Sequence, residues 1–224
     1  MLDFLLRRTR KHKTRKNIQG VSQKWLDAKG LESVAPDLIS TFHALPEHHD
    51  NSEKPEMIEL NENRAVWQIP VRGHTRAYMQ ISRQPHCNEK TSIVMVKARE
   101  FYTLWRAAEM RNDNQTYFQV PEVSKIPLDG KWPQQAAYWD QSRINPVALA
   151  EVGWCEMHGI NFGDGITSTL WLIYHMATAF PVSVKDHNSA VALHTAAGDP
   201  SYPVISLAEL LRPTSLAVKS LHKS

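Results

Sequence analysis

GINFGDGITSTLWLIYHMATAFPVSV, residues Gly159 to Val184, is the stretch on which the reading of the fold turns. Gly159, Gly163 and Gly165 predict a tight loop, because glycine enters left-handed backbone conformations without a Cβ clash. Thr167, Ser168 and Thr169 follow, small hydroxyl residues of the kind that begin a helix. From Leu170 to Met176 apolar residues dominate, so the helix expected over about Thr167 to Ala177 is buried on more than one face. Ala179 to Val184 then reads as a strand inside a core. Loop, buried helix and strand together imply a domain in which helices pack on a sheet.

Working upstream, Met57 to Leu60 and Ala65 to Val71 read as strands around the turn Asn61-Glu62-Asn63. Ala77 to Ser82 alternates apolar with polar at a period of two, which extends these strands into a β-meander. Ile93 to Val96 is a further strand. In Arg99 to Met110, Phe101, Leu104, Trp105 and Ala108 recur at spacings of three and four, which predicts an amphipathic helix lying on the sheet. The stretch from Arg111 to Ser142, with Pro121, Pro127, Pro133 and the aromatic group Trp132, Tyr138 and Trp139, reads as a long, weakly structured loop. Asn145 to Glu151 and Val152 to Met157 supply a turn and another strand. The fold class is therefore α+β, a mixed sheet with packed helices. The expected organisation is a basic extension and linker over 1–55, the folded domain over 56–205, and a C-terminal helix and tail over 206–224. In that tail Leu207, Leu210 and Leu211 suggest a short helix before Pro213, able to dock on the domain or on a partner.

At 224 residues, with 42% hydrophobic and 22% charged residues, the chain has ordinary globular composition and length for one core. No apolar run reaches the roughly 18 residues that a membrane-spanning helix needs. The apolar start Met1 to Leu6 is too short for a secretory signal and its charges follow it, so a cytoplasmic protein is expected. Cys87 and Cys155 form no Cys-x-x-Cys pair, and two reduced thiols are the simplest reading.

The net charge of +3 is unevenly placed. The first 26 residues hold eight Lys or Arg against Asp3, which leaves 18 basic and 22 acidic residues, a net −4, in the rest. Arg7, Arg8, Arg10, Lys11, Lys13, Arg15 and Lys16 concentrate the positive charge in RRTRKHKTRK. Such an arm can neutralise DNA or RNA phosphates, approach an anionic membrane, dock on an acidic protein, or simply solubilise the chain.

Several motifs, in order, resemble the plasmid fertility-inhibition factor family. They are Trp67-Gln68-Ile69-Pro70-Val71-Arg72-Gly73-His74-Thr75-Arg76, Asn145 to Val152, Phe162 to Thr167 running through Trp171-Leu172, and Ala179-Phe180-Pro181-Val182. The resemblance covers roughly residues 57 to 200. It implies a fold similar to the ParB N-terminal domain and sulfiredoxin, in which an Asp-Gly loop leads into a helix and meets phosphate. It also implies a plasmid-encoded protein that suppresses conjugative transfer of a co-resident plasmid by acting on its type IV coupling ATPase, of the TraG/VirD4 type. In the ParB and sulfiredoxin relatives a His-Arg or Arg-Arg pair follows the loop. Here the matching positions are Thr167 and Ser168, which lack the charge-assisted bonds such a pair supplies.

The residues therefore lean away from catalysis. Asp164, Gly165, Thr167 and Ser168 form the phosphate-binding candidate, with backbone N–H groups at a helix start as donors. The competing reading is a glycine turn with Thr or Ser capping a core helix. The adjacent His48 and His49 lack the i, i+4 spacing that aims two imidazoles at one metal, and neither a metal nor a cofactor is expected. His74, His158, His175, His187 and His194 build no recognisable triad. Glu151 and Glu156 are possible bases with nothing to mark them, and Cys155 reads as a buried thiol. Trp67, Trp105, Trp154 and Trp171 belong to the expected core. Trp132 and Trp139, in the Pro-rich stretch, either contact a partner together with the arm or fold down onto the sheet. Two functions follow: a binding protein that blocks a coupling ATPase, or a ParB-like nucleic-acid binder, nuclease or ATPase.

Overall fold

In the computed structural model, residue 45 and residues 53–73, 76–83, 90–111, 120–128, 130–155 and 159–212 are described. The basic arm and the His48-His49 pair lie outside these residues. Alternation along the chain builds a meander of β1 (Glu56–Leu60), β2 (Arg64–Ile69) and β3 (Ala77–Ser82), paired antiparallel throughout. Asn61 closes the first turn by accepting on its Oδ1 the N–H groups of Asn63 and Arg64, at 2.9 and 3.0 Å. Opposed pairs Ala65 with Ile81, Trp67 with Met79, and Ile69 with Ala77 turn into the core. β5 (Val147–Ala148) adds to β3 in parallel, completing the order β1-β2-β3-β5.

A second sheet, ordered β7-β6-β8-β4-β9, comprises β4 (Ser92–Lys97), β6 (Glu151–Cys155), β7 (Gly159–Asp164), β8 (Ala179–Val184) and β9 (Ile205–Ser206). β8 is buried at every position and β4 from Ser92 to Val96, which is why both read as continuous apolar runs. The chain between β5 and β6 stitches the sheets together. Leu149 N–H donates to Gln80 O in the first sheet, and Ala150 O accepts from Ser183 N–H in the second, both at 2.9 Å.

The helices are α1 (Ala98–Arg111), α2 (Trp132–Asp140), α3 (Ile166–Tyr174), α4 (His187–Ala197) and α5 (Leu207–Leu210), with a 3-10 helix at Val123–Leu128. α1 packs on β7 and β4, α4 on β4 and β6, and α2 with the 3-10 helix on α3. Phe101 of α1 meets Phe162 and Phe180 edge-on, with centroids 6.1 and 5.7 Å apart. Trp171, Leu172 and Ile173 of α3 are at most 1% exposed. Burial of each is worth up to roughly 1.5–3 kcal/mol.

The expected α+β class holds, and its strands divide between two mixed sheets. Other expectations need correction. Gly159 to Asp164 is strand β7, paired with β6 through Val152–Phe162, Gly153–Asn161 and Trp154–Ile160. Left-handed backbone is confined to its flanks, at Gly159 (φ 70°) and Gly165 (φ 86°). The stretch from 111 to 142 contains a 3-10 helix and α2, because Pro133 sits in the first turn of α2, where no N–H is needed. The helix α4 has no counterpart among the expected elements. It is capped by Asp186, whose Oδ2 accepts from Ser189 N–H at 2.7 Å. Leu45, within the expected extension, is 4% exposed and belongs to the core cluster. No helix among the described residues is long and apolar enough to cross a membrane.

Candidate functional site

The start of α3 forms one side of a cleft of about 310 Å³ lined by Phe162 to Ser168, Lys131 and Gln135. All four phosphate-binding candidates, Asp164, Gly165, Thr167 and Ser168, line it. Their meeting follows from local chain geometry. Gly165 turns the chain from β7 into α3 at φ 86°, and a Cβ there would lie 2.6 Å from Ala150 Cα and 2.7 Å from its Cβ. Only glycine fits, on both conformational and steric grounds.

The capping differs from the expected one. Gly165 is the N-cap and α3 has no side-chain cap, whereas Thr169 Oγ1 donates back to Gly165 O at 2.9 Å. Ser168 Oγ instead accepts from Gln135 Nε2 at 2.9 Å, tying α2 to α3 across the cleft. Asp164 Oδ1 accepts the Gly165 N–H at 2.7 Å. The carboxylate thus supplies negative charge to the helix N-terminus and occupies an amide that an incoming phosphate needs. The cleft offers an acid, hydroxyl groups, an amide and the Lys131 ammonium, a set suited to polar recognition.

The other candidate groups lie apart or are engaged. Glu151 Oε1 pairs with Lys185 Nζ at 2.7 Å on the surface beside Gly163. His194 Nε2 lies 3.2 and 2.9 Å from the carbonyl oxygens of Asp199 and Tyr202, so it carries a proton and fixes that turn. His187 Nδ1 lies 3.2 Å from Ser92 Oγ. Among the described residues no three His, Cys, Asp or Glu side chains converge as a metal set. Residues 74, 87 and 156–158, and the side chain of Cys155, lie outside the described parts.

The two loop tryptophans take different places. Trp139 is 2% exposed and stacks on Trp171, so of its two weighed placements it takes the inward one. Trp132 is half-buried, edge-on to Tyr174 at 4.9 Å and parallel to His175 at 6.0 Å. Tyr138, of the same aromatic group, is 43% exposed, and sequence reading missed Leu128 and Ile144, which are 81% and 91% exposed near it in the chain. It also missed Lys131 and Gln135, whose only signal was their place in a segment read as loop.

A two-sheet α+β domain with a polar cleft at a glycine-turned helix start is the class of protein the structure defines. Its relatives make that class specific. Residues 93–198 match the family model of the plasmid fertility inhibition factor. The chain is 33% identical over 172 residues to the protein osa of Shigella flexneri, across 75% of this chain and 82% of that one. It also resembles the crystal structure of the Oncogenic Suppression Activity protein, a plasmid fertility inhibition factor, solved as a gold(I) cyanide derivative. That match has a TM-score of 0.62 and 27% identity, and covers 86% of this chain and 92% of the other. The chain belongs to the plasmid fertility inhibition factor family.

Proposed function

We propose that this protein blocks conjugative transfer of a co-resident plasmid by binding the cytoplasmic part of its type IV coupling ATPase. The observation that carries the reading is kinship with a fertility inhibition factor over three quarters of the chain. A binding mode needs no turnover, which suits a cleft whose carboxylate already holds the Gly165 amide. Trp132 and the exposed Leu128 and Ile144 are the side chains on which such a contact would centre, with the basic arm, Arg7 to Lys16, as a second contact. The test is co-purification of the full chain with the soluble domain of a coupling ATPase, beside a donor mating assay. A complex with reduced transfer supports the reading; reduced transfer without any complex sinks it.

A second reading is favoured by the clustering of Asp164, Gly165, Thr167 and Ser168 around one cleft with Lys131. In it the protein is a ParB-like nucleic-acid binder or hydrolase, with the cleft receiving a phosphate and the arm holding DNA. Salt-dependent gel shifts with ATPase and nuclease assays decide it. Turnover abolished by Asp164→Ala would place this reading first.

A further inference from the structure

His175 lies in the aromatic contact between α2 and α3, and neither proposed function uses it. It caps the C-terminal end of α3 and is half-buried. Its ring centroid is 4.1 Å from that of Trp171 and 6.0 Å from that of Trp132, the latter parallel to within 13°. Tyr174 meets it edge-on at 5.1 Å. Two bonds fix it to the turn after β2: Arg72 N–H donates to His175 O at 2.7 Å, and His175 Nδ1 lies 3.3 Å from Arg72 O. Facing a carbonyl, Nδ1 is assigned the proton, so the ring takes up a second proton at Nε2 and keeps the Arg72 bond in both charge states. We propose that His175 is a proton-operated latch on α2: as imidazolium it holds Trp132, and so the first turn of α2, against the end of α3, and as neutral imidazole it lets that turn loosen.

Two features of the site favour the charged ring. A cation within about 6 Å of an indole centroid is attracted by the ring, and His175 meets two indoles at that range. Its place at the end of α3 also sets it at the partial negative pole of the helix. Like charge acts against it. Among the described residues, the charged and titratable groups of the elements that touch His175 are Arg72 in the turn, Lys131 just before α2, Tyr138 and Asp140 on α2, and Tyr174 on α3. The phenols stay neutral below about pH 10. Asp140 lies about 12 Å along the helix from Trp132. Arg72 and Lys131 are exposed, where water and salt screen them, so attraction inside the half-buried ring contact outweighs their repulsion. A charged form favoured by folding contributes stability that is complete below the unfolded value of about 6.5 and is lost as pH rises through the folded one. The latch therefore closes in acid and opens as pH rises. From Gln135 onward α2 is held by the Gln135 bond to Ser168 and by Trp139 on Trp171, groups that do not titrate in this range. Trp132 and the neighbouring Lys131, which lines the cleft, are released together.

An NMR titration of the imidazoles in the full chain, with the His175 signal assigned by its loss in His175→Gln, is the first test. The expected midpoint is at least about 0.5 unit above the ordinary value of about 6.5, and Trp132→Leu brings it down by at least about 0.3 unit, with Trp132→Phe between. Hydrogen exchange at Gln135, whose N–H donates to Lys131 O at 3.0 Å and closes the first turn of α2, reads the latch itself. After correction for the intrinsic pH dependence of exchange, its protection in wild type is expected to fall at least about threefold as pH rises through the midpoint, the equivalent of about 0.5 unit, and to stay level in His175→Gln. The exchange comparison needs no change at Trp132 and stands if Trp132→Leu does not fold. A midpoint at or below about 6.5, a raised midpoint that a folded Trp132→Leu leaves unmoved, or protection that falls equally in His175→Gln overturns the latch.

Discussion

The indole of Trp139 stacks on that of Trp171, with centroids 4.5 Å apart and planes 14° from parallel. Trp171 in turn meets His175 at 4.1 Å, and His175 faces Trp132, so four rings from α2 and α3 form a ladder. The buried indole Nε1 of Trp139 lacks a hydrogen-bond partner. At this pair the stacked ring area, not an indole hydrogen bond, holds α2 against α3. Trp139→Ala is expected to cost about 3–5 kcal/mol, whereas Trp139→Phe keeps most of the packing and costs about 1–2 kcal/mol. Urea unfolding followed at one far-ultraviolet wavelength measures both. Equal losses for the two variants contradict the packing account.

Gly165 and Gly130 make a paired comparison. A Cβ at Gly165 meets Ala150 Cα at 2.6 Å at a φ of 86°, whereas a Cβ at Gly130 meets nothing within 4 Å. Gly165→Ala is expected to lose at least about 2 kcal/mol, from the left-handed cost of about 1–2 kcal/mol plus the clash. Gly130→Ala should leave stability within about 1 kcal/mol of wild type. Thermal unfolding of the two variants in parallel is the check; a Gly165→Ala protein as stable as Gly130→Ala removes the stated role of the turn.

Strands of both sheets were legible where their signals are strong and local. Ala77 to Ser82 alternates and Ala179 to Val184 is a continuous apolar run, and each is a strand over those residues. α2 was not legible, since Pro133 reads as a breaker until packing on α3 shows it at a helix start. α4 carried a readable Asp186 and Ser189 cap that its weakly apolar sequence obscured. At the cleft, Asp164 to Ser168 were visible as neighbours in sequence. Lys131 and Gln135 reach them only through the packing of α2 on α3, which no local pattern encodes.

Acid sensitivity should be traceable to the cap of α4. The backbone N–H of Ser189, and then its hydroxyl, hold the Asp186 carboxyl below its usual value of 3.8, with lesser help from Asn188 and His187. A depressed folded pKa means that the cap contributes stability above the unfolded pKa and loses it as pH falls through the folded one. Asp186→Asn keeps an acceptor and removes the titration. Stability of the variant should therefore depend less on pH than wild type below about pH 4, near the usual carboxylate pKa. Denaturation midpoints from pH 2 to pH 7 give the comparison, and parallel curves would falsify the assignment.

Leu128 and Ile144 separate the binding role from the fold. At 81% and 91% exposure they add little to the core, so Leu128→Asp and Ile144→Asp should change stability by no more than about 0.5 kcal/mol. An apolar anchor at the centre of an interface costs at least about 2 kcal/mol on truncation, roughly thirtyfold in affinity. Trp132→Ala is less clean, because Trp132 also packs on Tyr174 and His175. In the coupling-ATPase reading, the two Asp variants lose co-purification and release the block on mating, while Asp164→Asn leaves both intact. In the phosphate reading the pattern reverses, since Asp164 caps the cleft and neither exposed side chain lines it. Mating frequency with each variant as the resident inhibitor, at matched expression, is the measurement. Full inhibition by both Leu128→Asp and Ile144→Asp removes these two side chains from the contact.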